Sequence, residues 1–130
     1  MIVVDASALV AIGDDEPEAE GFLDILERNA SCISAVNYVE TGLILIGRGR
    51  LASQADLDIW LQGLGAKVMP NENLAAAALD AYLVYGRRYH PAKLNLADCF
   101  AYALAKSLDA PLLYKGDDFP LTDVRSALDA

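Results

Sequence analysis

The sequence predicts an α/β fold: a three-layer α/β/α sandwich around a central, mainly parallel sheet of four to five strands, in one domain over residues 1–130. Three observations predict it. Short runs suited to strands recur at Ile2–Val4, Ser31–Ser34, Ala66–Met69 and Ala110–Tyr114. The stretches between them carry apolar residues at helical spacing. The first run is unbroken and β-branched, which is the pattern of a strand covered on both faces, as in a parallel sheet between helix layers.

In chain order, Ile2–Val4 stops at Asp5, and Ala6–Ile12 reads as a short helix ending at Gly13. Asp14-Asp15-Glu16-Pro17 is a polar break, with Pro17 suited to a first helical turn. Glu18–Arg28 places Ala19, Phe22, Leu23 and Leu26 at helical spacing, and the acids at 14–20 read as a solvated cap at its start. After the second strand, Ser34 can cap a helix over Ala35–Arg48. Gln54–Leu64 is amphipathic, with Leu57, Trp60, Leu61 and Leu64 on one side. Pro70 closes the third strand, and Glu72–Tyr85 is an alanine-rich helix ended by Gly86. Arg87–Lys93 is a basic, aromatic loop, and Asn95 caps a helix over Leu96–Leu108. After the fourth strand, Lys115–Phe119 is a turn, and the tail is expected to add a small edge strand near Asp123-Val124.

The chain is 55% hydrophobic, so disorder is not expected, and no stretch is long enough to span a bilayer. With no basic leader before the apolar start and only Cys32 and Cys99 as thiols, a cytoplasmic protein with reduced cysteines is expected. The net charge of −9 is unusual for a nucleic-acid binder. Any phosphate-bearing substrate would need cations or a local basic patch to approach.

The acids hold the chemical argument. Asp5 ends the first strand and either caps the next helix or faces the crevice beyond the strand ends, where open α/β sheets bind ligands. Glu40 shares a helix stripe with Val36, Asn37, Leu43 and Ile44, which is expected to face a mostly apolar interior, so it must reach a cation or the helix must turn to put it at the sheet's edge. Asn95 and Asp98 have capping-box spacing, yet Asp98 also rides on the face of Leu94, Ala101, Tyr102 and Ala105. Asp117 and Asp118 lie in a turn just past the fourth strand. In parallel strands these ends share one side of the sheet, so Asp5, Glu40, Asp98 and Asp117 can converge. Clustered carboxylates repel unless cations neutralise them or some hold protons, and hard divalent ions such as Mg²⁺ or Mn²⁺ are the natural counter-charge. Such a site suits phosphodiester hydrolysis. The single histidine, His90, rules out a metal-free pair of imidazoles.

Val4-Asp5-Ala-Ser7-Ala-Leu9, Tyr38-Val-Glu40-Thr41, Leu96-Ala-Asp98 through Ala105, and Leu112 through Phe119 together resemble the PIN domain, most closely the VapC toxins of bacterial toxin–antitoxin pairs. The resemblance covers essentially the whole chain. It implies a metal-dependent endoribonuclease in which Asp5, Glu40, Asp98 and a fourth acid surround Mg²⁺ or Mn²⁺, with Ser7 in support. Tyr114-Lys-Gly replaces the usual small hydroxyl and short turn before the fourth acid, so Asp117 is preferred and Asp118 is its alternative. It further implies a VapB-like antitoxin covering the site, a homodimer, and contact with operator DNA only through the antitoxin.

Two other readings compete. A phospho-receiver domain also uses Mg²⁺-binding aspartates, but wants an acidic pair after the first strand and an acceptor Asp after a central strand. Here Asp5 precedes Ala-Ser, and the strand taken as central ends in Met69-Pro70. The other is a non-catalytic PIN-like binding module. If RNA is the substrate, Arg87, Arg88 and Lys93, with His90 and Tyr89, are the first candidates to meet it, and Arg48 with Arg50 the second.

Overall fold

The structure is a computed structural model that describes residues 1–129. Four parallel strands, β1 (Ile2–Val4), β2 (Ser31–Ser34), β3 (Ala66–Met69) and β4 (Leu112–Leu113), form one sheet in the order β3-β2-β1-β4. The helices are α1 (Ala6–Gly13), α2 (Ala19–Arg28), α3 (Ala35–Gly47), α4 (Gln54–Leu64), α5 (Ala75–Tyr85) and α6 (Leu96–Ser107), with a 3₁₀ turn at Phe119–Leu121.

Alternation along β1 divides the core. Ile2 and Val4 face one layer with Leu9, Phe22, Ile33, Leu57 and Leu113. Val3 faces the other with Cys32, Leu94, Ala101, Leu104 and Leu112. All three β1 residues are buried, as a strand between two helix layers requires.

Three expectations need correction. β3 is an edge strand, with Lys67 and Val68 exposed, and the interior strands are β1 and β2. The alanine-rich helix starts at Ala75, because residues 71–74 form a turn first. The tail adds no strand near Asp123-Val124: the Val124 N–H is satisfied locally by Thr122 Oγ1 at 3.2 Å. The tail meets the sheet one step later, in a single parallel bridge between Leu112 and Ser126. Both cysteines are buried and free. Among the described residues, no helix is long and apolar enough to cross a membrane.

Candidate functional site

The carboxyl end of β1 fixes the first acid. Asp5 is the N-cap of α1 and accepts the Ser7 N–H at 3.0 Å, yet it also lines a cleft of about 570 Å³ with Glu40, Asp98, Asp117 and Asp118. Asp5 is 2% exposed, so its charge is nearly cut off from water. Burial, reinforced by the charge of Glu40 and opposed by hydrogen bonds from Ser7 and Ala6, pushes its carboxyl up to about 6.

Asp98 enters the cleft from the first turn of α6. The capping box expected from its spacing is formed: Asp98 accepts the Asn95 N–H at 3.0 Å and donates its own N–H to Asn95 Oδ1 at 2.9 Å. Burial raises this carboxyl to about 6, against the Asn95 hydrogen bond, and the charges of Asp5 and Asp118 add to the rise. Glu40, from the second turn of α3, is raised by burial and by Asp98, with Asn37 pulling the other way. The stripe of Glu40 does not face an interior, as its sequence neighbours suggested. Leu43 is 73% exposed, and the stripe runs along the cleft and onto the surface.

Asp117 and Asp118 are both exposed at the cleft mouth, on a turn that Gly116 enters at φ +117°. Of the two, Asp118 adds its charge to the rise of the Asp98 carboxyl. The turn is tied to α1 by Ser7, whose Oγ accepts the Lys115 N–H at 3.0 Å.

Sequence reasoning left three features unassigned. Asn37 is fully buried and joins three elements: its amide lies 3.5 Å from Asp5 Oδ1, donates to the Ala97 carbonyl at 3.1 Å, and accepts the Ser34 hydroxyl. Its polar side chain three residues after a serine cap, on the helix stripe that also holds Glu40, was the available signal. The other two features correct the solvated cap expected at residues 14–20. Asp14 and Glu16 line the cleft instead, Asp14 bonded to Arg48 and Arg50, and Glu16 to Lys115.

The first-choice basic loop is placed elsewhere. Arg87, Arg88 and Lys93 do not line the acidic cleft, because the Arg87 N–H bonds to the Leu94 carbonyl at 3.2 Å and folds the loop back on itself. The cations that do line the cleft are Arg48 and Lys115.

Every candidate ligand atom offered by the clustered acids is a carboxylate oxygen, and no histidine or cysteine lines the cleft. That donor set fits a hard divalent cation. Among the described residues, no three of these side chains stand close enough to form a preformed cage. The acids instead form a charge-coupled chain, from Asp118 to Asp98 and Asp5 and on to Glu40.

A sequence model described as the PIN domain matches residues 2–124. The chain is 41% identical over 125 residues to a VapC ribonuclease of Mycobacterium bovis, covering 95% of each chain. It is 43% identical over 126 residues to a ribonuclease VapC of Mycolicibacterium smegmatis, covering 95% of this chain and 97% of the relative. Among solved structures it resembles Mycobacterium tuberculosis VapC20, described as a sarcin–ricin loop cleaving toxin, with a TM-score of 0.73 over 96% of this chain and 99% of the other. At 16% identity that likeness speaks for the fold alone.

Proposed function

This chain belongs to the PIN domain family, among the VapC ribonucleases, and on that premise we propose that it is the toxin of a toxin–antitoxin pair that hydrolyses RNA phosphodiesters in the acidic cleft beyond β1. The observation that carries the proposal is the meeting of Asp5, Glu40, Asp98 and Asp118 in one cleft, with the charged forms of three of them disfavoured. Such a cluster is costly at neutral pH unless a cation relieves it.

In this reading Asp5 and Asp98 hold a divalent ion, Mg²⁺ or Mn²⁺, with Glu40 and one acid of the 117–118 turn completing the set. The charge coupling of Asp98 to Asp118 supports Asp118, and Asp117 is its alternative. Bound there, the ion would supply positive charge against the scissile phosphate and a more acidic water. The chain's own residues do the rest. Ser7 fixes the turn that presents the fourth acid, and Asn37 keeps Asp5 oriented.

The VapB-like antitoxin follows from the same family reading. A groove lined by Val36, Val39, Leu43 and Leu96 runs beside Glu40, and its exposed apolar residues suit an amphipathic antitoxin segment. The expected homodimer belongs to the proposal too, and Leu79, Leu83 and Val84 leave a second apolar face exposed on α5. The receiver alternative has no acidic pair after β1 to support it.

The test is incubation of the purified protein with total RNA, with Mn²⁺ or with EDTA, followed by mapping of new RNA ends. Discrete cuts that need the metal are expected. Intact RNA under both conditions would refute the proposal.

A further inference from the structure

The acidic cleft has a second wall that the acids do not explain. Arg48, at the C-cap of α3, and Lys115, just past β4, stand at the rim formed by the α1–α2 loop. Each is held by acids of that loop. Arg48 Nη1 donates to Asp14, which also accepts Arg50 Nε at 3.0 Å. Lys115 Nζ contacts Glu16, and Glu18 at 3.2 Å.

These pairs are half-open to water. The side chain of Lys115 is 35% exposed and that of Arg48 is 55% exposed. Exposed ion pairs contribute little to stability, so an incoming anion displaces or shares the Lys115 pairs at small cost, while Asp14, 13% exposed, keeps its hold on Arg48, which meets the anion through its free donors. Donors are also left over. A guanidinium has five N–H donors and an ammonium three. Toward these acids Arg48 uses one and Lys115 two. Lys115 is also fixed at its base, since its N–H bonds to Ser7, the residue next but one to Asp5. The backbone of this cation is thus anchored on the same turn as Asp117 and Asp118, while its ammonium is held by Glu16 and Glu18.

We propose that Arg48 and Lys115 bind the RNA phosphates that flank the scissile one, and that Asp14, Glu16 and Glu18 hold these cations in place as exchangeable counter-anions. The assignment rests on the nuclease reading given above. It resolves a charge problem of that reading: among its lining residues the cleft has these two cations only, while the Arg87–Lys93 loop lies outside it. Phosphates on either side of the cut would therefore meet the α1–α2 rim.

The test is single-turnover cleavage of total RNA with Mn²⁺, measuring the enzyme concentration at half-maximal rate and the maximal rate over a salt series. Lys115→Met and Arg48→Ala should each raise the half-maximal concentration on the order of tenfold, with the maximal rate within about twofold. Each should also reduce the slope of log affinity against log salt by about 0.7, the value for one single-strand phosphate contact. Lys115→Arg should restore both. Glu16→Gln with Glu18→Gln should tighten binding by about threefold, since it frees the ammonium. Cleavage by the Met and Ala variants with unchanged half-maximal concentration and salt slope would overturn the assignment. So would loss of maximal rate alone, which marks a structural role. A parent protein that cuts RNA while the variants behave as it does leaves the nuclease reading standing and removes only the rim. A parent that neither binds nor cuts RNA removes both.

Discussion

The side-chain amide of Asn37 sits 3.5 Å from Oδ1 of Asp5 while donating to the carbonyl of Ala97 at 3.1 Å. One buried side chain thus links the end of β1 to the starts of α3 and α6, the elements that supply Asp5, Glu40 and Asp98. Asn37→Ala leaves the Ser34 hydroxyl and the Ala97 carbonyl without this partner. The expected cost is about 1–3 kcal/mol, read as a lower midpoint in urea unfolding. Asn37→Asp should reduce cleavage more than Asn37→Ala, because it places a further negative charge against Asp5.

Without metal, the cluster makes stability depend on pH. The folded carboxyls of Asp5 and Asp98 lie at about 6, above their usual 3.8. A raised pKa contributes stability that is complete below the unfolded value and is lost as pH rises through the folded one. The melting temperature in EDTA should therefore fall between about pH 4 and pH 6, with each of the two groups contributing on the order of 3 kcal/mol. Asp5→Asn should flatten this fall and melt higher than the parent at pH 7, while cleavage is lost. Thermal unfolding at several pH values, in EDTA throughout, reads both effects.

Mn²⁺ should reverse the same penalty. At pH 7.5, a concentration 100 times the dissociation constant should stabilise the fold by about 2.7 kcal/mol. At pH 5 the effect should shrink, because protons then compete for Asp5 and Asp98. Asp98→Asn should remove most of it at either pH. Comparing Asp117→Asn with Asp118→Asn in this melting assay identifies the fourth acid, and the larger loss is expected from Asp118→Asn.

The turn carrying that fourth acid depends on two neighbours. Gly116 has φ +117°, a conformation that L side chains rarely adopt. Gly116→Ala should cost about 1–3 kcal/mol, and it should weaken Mn²⁺ binding more than a substitution far from the cleft. Ser7→Ala removes the acceptor of the Lys115 N–H and should cost about 1 kcal/mol. Calorimetric titration with Mn²⁺ separates these effects on binding from simple loss of fold.

What the sequence disclosed follows the range of the interaction. The β1 run, the Ser34 cap and the Asn95–Asp98 capping box are local patterns, and each is present at the expected residues. The convergence of the acids was legible too, because parallel strands send their carboxyl ends to one side. The rim ion pairs were not. Lys115 meets Glu16 across 99 residues of chain, and nothing in a solvated-looking acidic loop states which distant cation it will face. The role of Asn37 was hidden for a similar reason, since two of its partners, Asp5 and Ala97, come from other elements. The basic loop at 87–93 drew attention through composition, but its placement is set by backbone bonding to Leu94, which composition does not encode.

The pairing of the tail with β4 has its own consequence. The Leu112 N–H bonds to the Arg125 carbonyl at 2.8 Å, and the Leu112 carbonyl accepts the Ala127 N–H at 2.9 Å. Residues 125–127 of the tail therefore work as a selvedge, sealing a raw border of the sheet at Leu112 that could otherwise recruit a strand from another molecule. Trimming the chain before Arg125 would leave that border bare and invite self-association, so a purification handle belongs beyond these residues and never in their place.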